Sequence, residues 1–287
     1  MDEQNKNLSL ALLVILIGFD IFLWLNIFWF NFNNSYVYFL DVGQGDSGLM
    51  ALKNNVLILI DAGPNSKVIQ SLDKIFPKKR NYIDLAVITH PQLDHFGGFL
   101  FLLDKYDFGA FIINGRQGDE KTKNDYQALI QKIESKNIPL ITLSAGDKII
   151  YQNNLIEILS PDKNWISSAE LNDTGLVLKI KTPEFNSLFT ADIDSYLENY
   201  LVSKYDLKSN ILKIAHHGSK YSSNIDFISK VQPSLALIGV GKNNYGHPSL
   251  DLINHLKNID IPVFRTDYNG NITIFKKDNK FIIKTEK

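Results

Sequence analysis

The sequence predicts a mixed α/β (α+β) domain in which two β-sheets pack face to face beneath covering helices, preceded by one long apolar helix. Three observations carry this. After Tyr36, short β-rich runs and amphipathic helical runs alternate in two successive series; before it lies an apolar run long enough to cross a bilayer. A loop with two histidines and an aspartate stands at a strand-to-helix turn.

The elements follow in order. Residues 1–7 form a polar cap, and residues 8–30 are apolar apart from Ser9, Asp20 and Asn26. That run is long enough to span a membrane and is hydrophobic all round, unlike a helix docked by one face. Asp20 costs about 2.5–3.5 kcal/mol on insertion scales, which the many Leu, Ile and Phe side chains offset. Trp24, Trp29 and Tyr36 suit the far interface, and no small-residue cleavage site follows, so the segment reads as an uncleaved transmembrane signal anchor. Lys6 precedes it and no Lys or Arg lies between Phe30 and Lys53, which favours a single-pass cell-membrane protein with its soluble domain extracytoplasmic.

Residues 31–35 are a polar linker, and residues 36–287 form the domain. Strands are expected at 36–41, 48–53 and 56–61, a helix at 66–75, strands at 85–89 and 108–114, and a helix at 123–135. The Gly97-Gly98 pair opens a further amphipathic segment, 99–106. The second series has strands at 155–160, 176–181, 187–190, 212–215 and 235–240, with helices at 194–204, 224–231 and 250–257. A hairpin, 272–276 with 281–284, closes the chain.

Composition narrows the chemistry. With 287 residues and 45% hydrophobic content the chain can bury a substantial core. A net charge of -1 gives no bulk attraction to nucleic acid, and the absence of cysteine excludes disulfides and thiolate metal sites. The six histidines cluster: His90 and His95 lie in Thr-His-Pro-Gln-Leu-Asp-His-Phe-Gly-Gly (89–98), none lies between Phe96 and Lys213, and then come His216, His217, His247 and His255. Imidazoles and a carboxylate on a tight loop suit Zn²⁺ or Mn²⁺, and the gap implies that two distant segments meet at one site. His255 shares a helical pattern with Leu252 and Leu256 and reads as structural.

Six blocks in order complete the pattern: Phe-Leu-Asp-Val-Gly-Gln-Gly-Asp-Ser (39–47), Leu-Ile-Asp-Ala-Gly (59–63), the 89–98 loop, Phe-Thr-Ala-Asp-Ile (189–193), Leu-Lys-Ile-Ala-His-His-Gly-Ser-Lys-Tyr-Ser-Ser (212–223) and Gly-Val-Gly-Lys-Asn-Asn-Tyr-Gly-His-Pro (239–248). Through these blocks the chain resembles metallo-β-lactamase-fold proteins, and among them the ComEC-like branch, the hydrolase domains of DNA-uptake channel proteins of natural competence. The resemblance implies a four-layer αββα fold. It implies one or two divalent ions, Zn or Mn, on His90, Asp94, His95, Asp192 and one of His216 or His217, with Asp192 bridging. Asp41, Asp46, Asp61 and Gln92 are expected around these ligands, Asp61 orienting a ligand histidine. Gln92 stands where the superfamily carries histidine and ComEC-type domains commonly an acid, so the site nearest His90 is short of protein ligands.

The chemistry implied is hydrolysis: a divalent ion, or a pair about 3.5–4 Å apart, activates water, with Asp94 orienting it. Ser219, Lys220, Ser222 and Ser223, in a loop before a helix, have a composition that suits phosphate capture and equally an ordinary helix cap. Asn243 and His247 are expected to contact substrate or protonate the leaving group. The expected function is a membrane-anchored metal-dependent phosphodiesterase or nuclease acting on DNA in competence-type uptake, with a separate membrane channel protein as partner. A carbon-ester or lactam hydrolase, and a non-catalytic DNA-binding or scaffold module with a degenerate metal site, are the rivals.

Overall fold

A computed structural model of the chain describes residues 3–29, 34–76 and 80–287. In chain order the helices are α1 (Glu3–Trp29), α2 (Lys67–Ile75), α3 (Leu93–Leu102), α4 (Lys123–Ser135), α5 (Ser195–Lys204), α6 (Ile225–Val231), α7 (Leu250–Asn258) and the short α8 (Thr266–Asn269). The strands begin with β1 (Tyr36–Phe39), β2 (Gly48–Ala51), β3 (Leu57–Ile60), β4 (Tyr82–Val87), β5 (Asp107–Ile113), β6 (Leu140–Thr142) and β7 (Lys148–Tyr151). They continue with β8 (Asn154–Ser160), β9 (Val177–Lys181), β10 (Asn186–Phe189), β11 (Ile211–Lys213), β12 (Leu235–Ile238), β13 (Val263–Arg265), β14 (Ile272–Lys277) and β15 (Lys280–Thr285).

Two mixed sheets result, ordered β15-β14-β1-β2-β3-β4-β5-β6 and β13-β12-β11-β10-β9-β8-β7. Strand alternation explains why they stack. In β1, Val37 and Phe39 point between the sheets while Tyr38 and the following Leu40 point to the helices; in β3, Ile58 and Ile60 divide from Leu57 and Leu59 in the same way. Both faces of these strands are therefore buried, which is why they read as continuous apolar runs. The inter-sheet core joins Phe39, Met50 and Ile58 to Ile158, Leu178 and Leu237. Outside it, α2, α3 and α4 cover the first sheet through Leu72, Phe96, Phe99 and Leu129, and α5, α6 and α7 cover the second through Leu197, Leu201, Phe227 and Leu256. The layers run helix, sheet, sheet, helix.

Three short strands, β6, β7 and β13, go beyond the sequence expectations; none exceeds four residues, so none shows a clear period. The expected helix at 99–106 is corrected. Helix α3 starts at Leu93, so Gly97 and Gly98 lie inside it. A Cβ on Gly98 would stand 2.0 Å from the Ala62 carbonyl oxygen, and one on Gly97 2.4 Å from that of Pro64. The pair permits contact between α3 and the 61–64 turn, rather than opening a helix.

Helix α1 buries none of the side chains described for it, residues 7–23, and Leu13, Ile15 and Leu16 are all more than half exposed. Among the described residues, no helix is long and apolar enough to cross a membrane. The side chains of Trp24 and Trp29, and most of the expected linker, lie outside the described residues. Tyr36 does not stand apart as an interfacial anchor: it opens β1 and packs on Tyr38 and Phe275.

Candidate metal centre

The site forms where strands of both sheets end. Asp61 follows β3, Thr89 and His90 lie just beyond β4, Ala191 and Asp192 lie beyond β10, and His216 and His217 lie beyond β11. Asp61, Ala191, His216 and His217 all take left-handed backbone angles, with φ between 49° and 58°. Such conformations cost non-glycine residues of order 1–3 kcal/mol each and persist only where the surroundings fix them. Backbone hydrogen bonds hold them: Asp61 N–H donates to the Val87 carbonyl at 2.9 Å, His216 N–H to that of Ala191 at 3.3 Å, and, alongside, Asp46 N–H to that of Asp94 at 3.2 Å and Ala62 N–H to that of His95 at 2.7 Å. The first turn of α3 is thereby clamped to two loops of the first sheet.

Asp192 is the centre of the cluster. Its Oδ2 lies 3.2 Å from His95 Nε2 and 3.3 Å from His217 Nε2, and His217 Nε2 is also 3.2 Å from Asp94 Oδ2. The far nitrogen of each ring is held. His95 Nδ1 meets Asp61 Oδ2 at 2.8 Å, and His217 Nδ1 donates to the Gly239 carbonyl at 2.7 Å. Asp61 in turn accepts from the Thr89 N–H and hydroxyl.

Lys213 supplies the counter-charge. Alternation along β11 points it between the sheets, where its Nζ contacts Asp46 and lies 3.2 Å from Asp192 Oδ1. Sequence reasoning missed it, although a lysine in the apolar run Ile-Leu-Lys-Ile-Ala was the available signal. Burial opposes ionisation of Asp192, but His217, His95 and Lys213 outweigh it and hold the carboxyl well below its ordinary pKa. Burial likewise opposes protonation of His217 and His95; for His217, Asp192 and Asp46 outweigh it and raise the pKa to about 10. For His95, Asp192 and Asp61 raise it well above the ordinary value. His90, by contrast, is pushed down to about 3 by burial and by His95.

Asp46, His95, Asp192 and His217 offer ligand atoms all within 4.8 Å of one another. Asp46 faces the wrong way to share an ion with the others. Its carboxylate holds Lys213 and approaches Nδ1 of His217, the nitrogen turned away from Asp192. Asp94 faces the same nitrogen as Asp192 and fits the set better. The remaining donors pass a chemical test for a divalent ion: His95 Nε2 is buried with no hydrogen-bond partner although Asp192 faces it, and both rings are oriented from behind.

The other expected residues fall into place around or away from this group. His90 packs against His95, with Nε2 3.2 Å from Gln92 Oε1. His216 meets Asn172 and His247, in the same cleft as Asp192. Asn243 is saturated by its own loop, donating to the carbonyls of Gly241 and His247 and accepting from the N–H groups of Tyr245 and His247, so it shapes the loop rather than reaching for substrate. Asp41 contacts none of the candidate ligands: it binds Lys67 and Lys287. Of the two readings of the 219–223 loop, the hydroxyls follow the one in which they satisfy backbone groups. Ser222 donates to the Ile193 carbonyl, Ser223 accepts from the Ala215 N–H, and Ser219 accepts from the Tyr221 N–H. Lys220 lies over the Tyr221 ring in a separate pocket with His255.

A cleft of about 500 Å³ opens above the cluster, with Asp94, Asp192 and His217 at its base and Gln44, Asn172 and His247 among its walls. Burial, then His216 and His217, lower the His247 pKa. At neutral pH it is uncharged, which suits hydrogen bonding to substrate or water better than protonation of a leaving group.

The family model described as the metallo-beta-lactamase superfamily matches residues 40–241, and the chain belongs to that superfamily. Its sequence is 28% identical over 255 residues to ComE operon protein 3 of Bacillus subtilis, covering 81% of this chain and 32% of that protein. It is 27% identical over 245 residues to competence protein ComA of Neisseria gonorrhoeae, covering 83% and 32%. The chain thus spans about a third of the length of the curated relatives it matches. Among solved structures it resembles the metallo-beta-lactamase fold protein YhfI from Bacillus subtilis, with a TM-score of 0.56 at 11% identity over 85% of this chain and 100% of that one.

Replacing Lys213 tests the charge balance. Lys213→Met leaves Asp46 and Asp192 buried without their ammonium, so the metal-free protein should lose about 3–5 kcal/mol in urea unfolding. A loss below about 1 kcal/mol would show that the lysine is not their counter-ion.

Proposed function

We propose that the chain is a membrane-anchored, metal-dependent phosphodiesterase acting on DNA. The observation that carries this is the convergence of Asp94, His95, Asp192 and His217 at the base of an open cleft. The competence proteins to which the chain is similar support DNA as the substrate. Zn²⁺ and Mn²⁺ both suit two imidazoles with two carboxylates. A divalent ion held there supplies charge that eases removal of a proton from water and neutralises charge developing on the attacked group.

The chain's own groups divide the remaining work. Asp61 and the Gly239 carbonyl fix the ring orientations of His95 and His217, leaving each Nε2 directed at Asp192. Lys213 engages one oxygen of Asp192 and leaves the other to the rings. Asp94, about a third exposed, stands between the cluster and the cleft, where its carboxylate can hold a water by hydrogen bonding. His216 and His247, both with lowered pKa, line the wall as neutral groups.

With Mn²⁺ or Zn²⁺ the full chain should cleave DNA or a small phosphodiester, and Asp94→Ala and His95→Ala should each lose both bound metal and at least about a hundredfold in rate. Cleavage of lactams or carbon esters with no phosphodiesterase activity would replace this reading, as would DNA binding that survives chelation without any hydrolysis.

The anchor is proposed from the exposure of the largely apolar side chains described for α1 at residues 7–23, not from the length of the helix. The full chain should require detergent for extraction, while a chain beginning at Asn34 should be soluble without it. Recovery of the full chain in the soluble fraction would remove the anchor, and a domain resistant to protease outside intact cells would reverse the proposed orientation.

A further inference from the structure

We infer that the cleft admits a single unpaired strand, with a base stacked on Tyr245 and a flanking phosphate neutralised by Lys121. This rests on the phosphodiesterase reading and specifies the form of nucleic acid the site takes.

Access is the first ground. His95, Asp192 and His217 are each no more than 2% exposed, so a phosphate that reaches them must descend to the cleft base. The cleft, about 500 Å³, is of the size that holds one small-molecule-sized group, not a paired helix. A base that enters with its phosphate must come out of the paired stack, at a cost that is least when the strand is already unpaired.

Tyr245 is the second ground. It lines the cleft and is 77% exposed, so most of its ring is open to whatever enters. Its ring stacks in an offset way on that of His247, at 29° with centroids 5.9 Å apart, so part of one face is backed and the rest is open. The loop beneath is fixed by the four hydrogen bonds of Asn243, two of them to backbone groups of His247 and one from the Tyr245 N–H. A tyrosine ring has few torsions to lose on binding, and every base offers it a π-face.

Charge is the third ground. Among the described residues lining the cleft, Lys121 is the single lysine or arginine, and it is exposed on the loop that leads into α4. Asp94, Asp119 and Asp192 line the same space, so a polyanion needs both the metal charge below and Lys121 above to enter. With so few phosphate contacts, stacking must provide much of the affinity, and it does so only for bases that are not already stacked in a duplex.

The test is binding and cleavage by the full chain in detergent, loaded with Mn²⁺, using fluorescently labelled oligothymidylate, the same strand in a blunt duplex, and an abasic strand of equal length. Oligothymidylate should bind at least tenfold more tightly than duplex. Tyr245→Ala should weaken that binding about five- to a hundredfold while Tyr245→Phe stays within about twofold, and Lys121→Ala should reduce the salt slope by about 0.7. The abasic strand, which keeps its phosphodiesters but has nothing to stack, should be cleaved by the wild-type protein with a raised KM. Equal affinity for duplex, or unchanged binding in Tyr245→Ala, would overturn the inference while leaving the phosphodiesterase reading intact. Cleavage of neither oligothymidylate nor the abasic strand would remove that reading and the inference with it.

Discussion

A carboxylate buried where two sheets end must be matched by positive charge, and the arrangement around Asp192 follows from that requirement. One oxygen faces the Lys213 ammonium and the other faces two imidazoles. Without these partners an ionised carboxylate at 1% exposure would cost several kcal/mol. Every neighbouring feature serves the same balance: Asp46 pairs with Lys213, Asp61 backs His95, and the Gly239 carbonyl backs His217. The left-handed turns at Asp61, Ala191, His216 and His217 are the backbone cost of bringing these side chains to one point.

The fold supplies the rigidity that this balance demands. Strands buried on both faces fix the ends from which the ligands project, and the Gly97-Gly98 contact holds the start of α3 against the 61–64 turn. Asp94 and His95 thus sit in the opening turn of a packed helix rather than on a free loop. That difference matters chemically, because ligands on a fixed helix turn need little reorganisation to receive an ion.

Much of this was legible in the sequence, and the limits have physical causes. Apolar runs such as Leu-Ile-Leu-Ile in β3 and Val-Tyr-Phe in β1 announced buried strands, and the histidine gap announced a site drawn from two distant segments. The pair His216-His217 could not be resolved by spacing, since the choice depends on consecutive left-handed residues that turn one ring to Asp192 and the other to His247. Lys213 was hidden because a lone lysine in a strand reads as solvated until the second sheet covers it. The serine-rich loop at 219–223 stayed open for the opposite reason: small hydroxyl residues satisfy backbone groups as readily as phosphate, and here they bond the backbone. Tyr245 lay in the 239–248 block with no role read for it and Lys121 lay in no block, and only the cleft brings them together.

The central claim is that protons on His95 and His217 hold the place of a metal's charge beside Asp192 and Asp94. Asp192 and its neighbours raise both rings above their ordinary pKa, His217 to about 10, which favours the protonated rings in the metal-free centre, and an ion that binds to the two Nε2 atoms must displace those protons. Calorimetric titration of the metal-free protein with Zn²⁺ at pH 7, in buffers of differing ionisation enthalpy, counts those protons directly. The account predicts about two released per ion bound; binding with no proton release, or no binding at all, would contradict it.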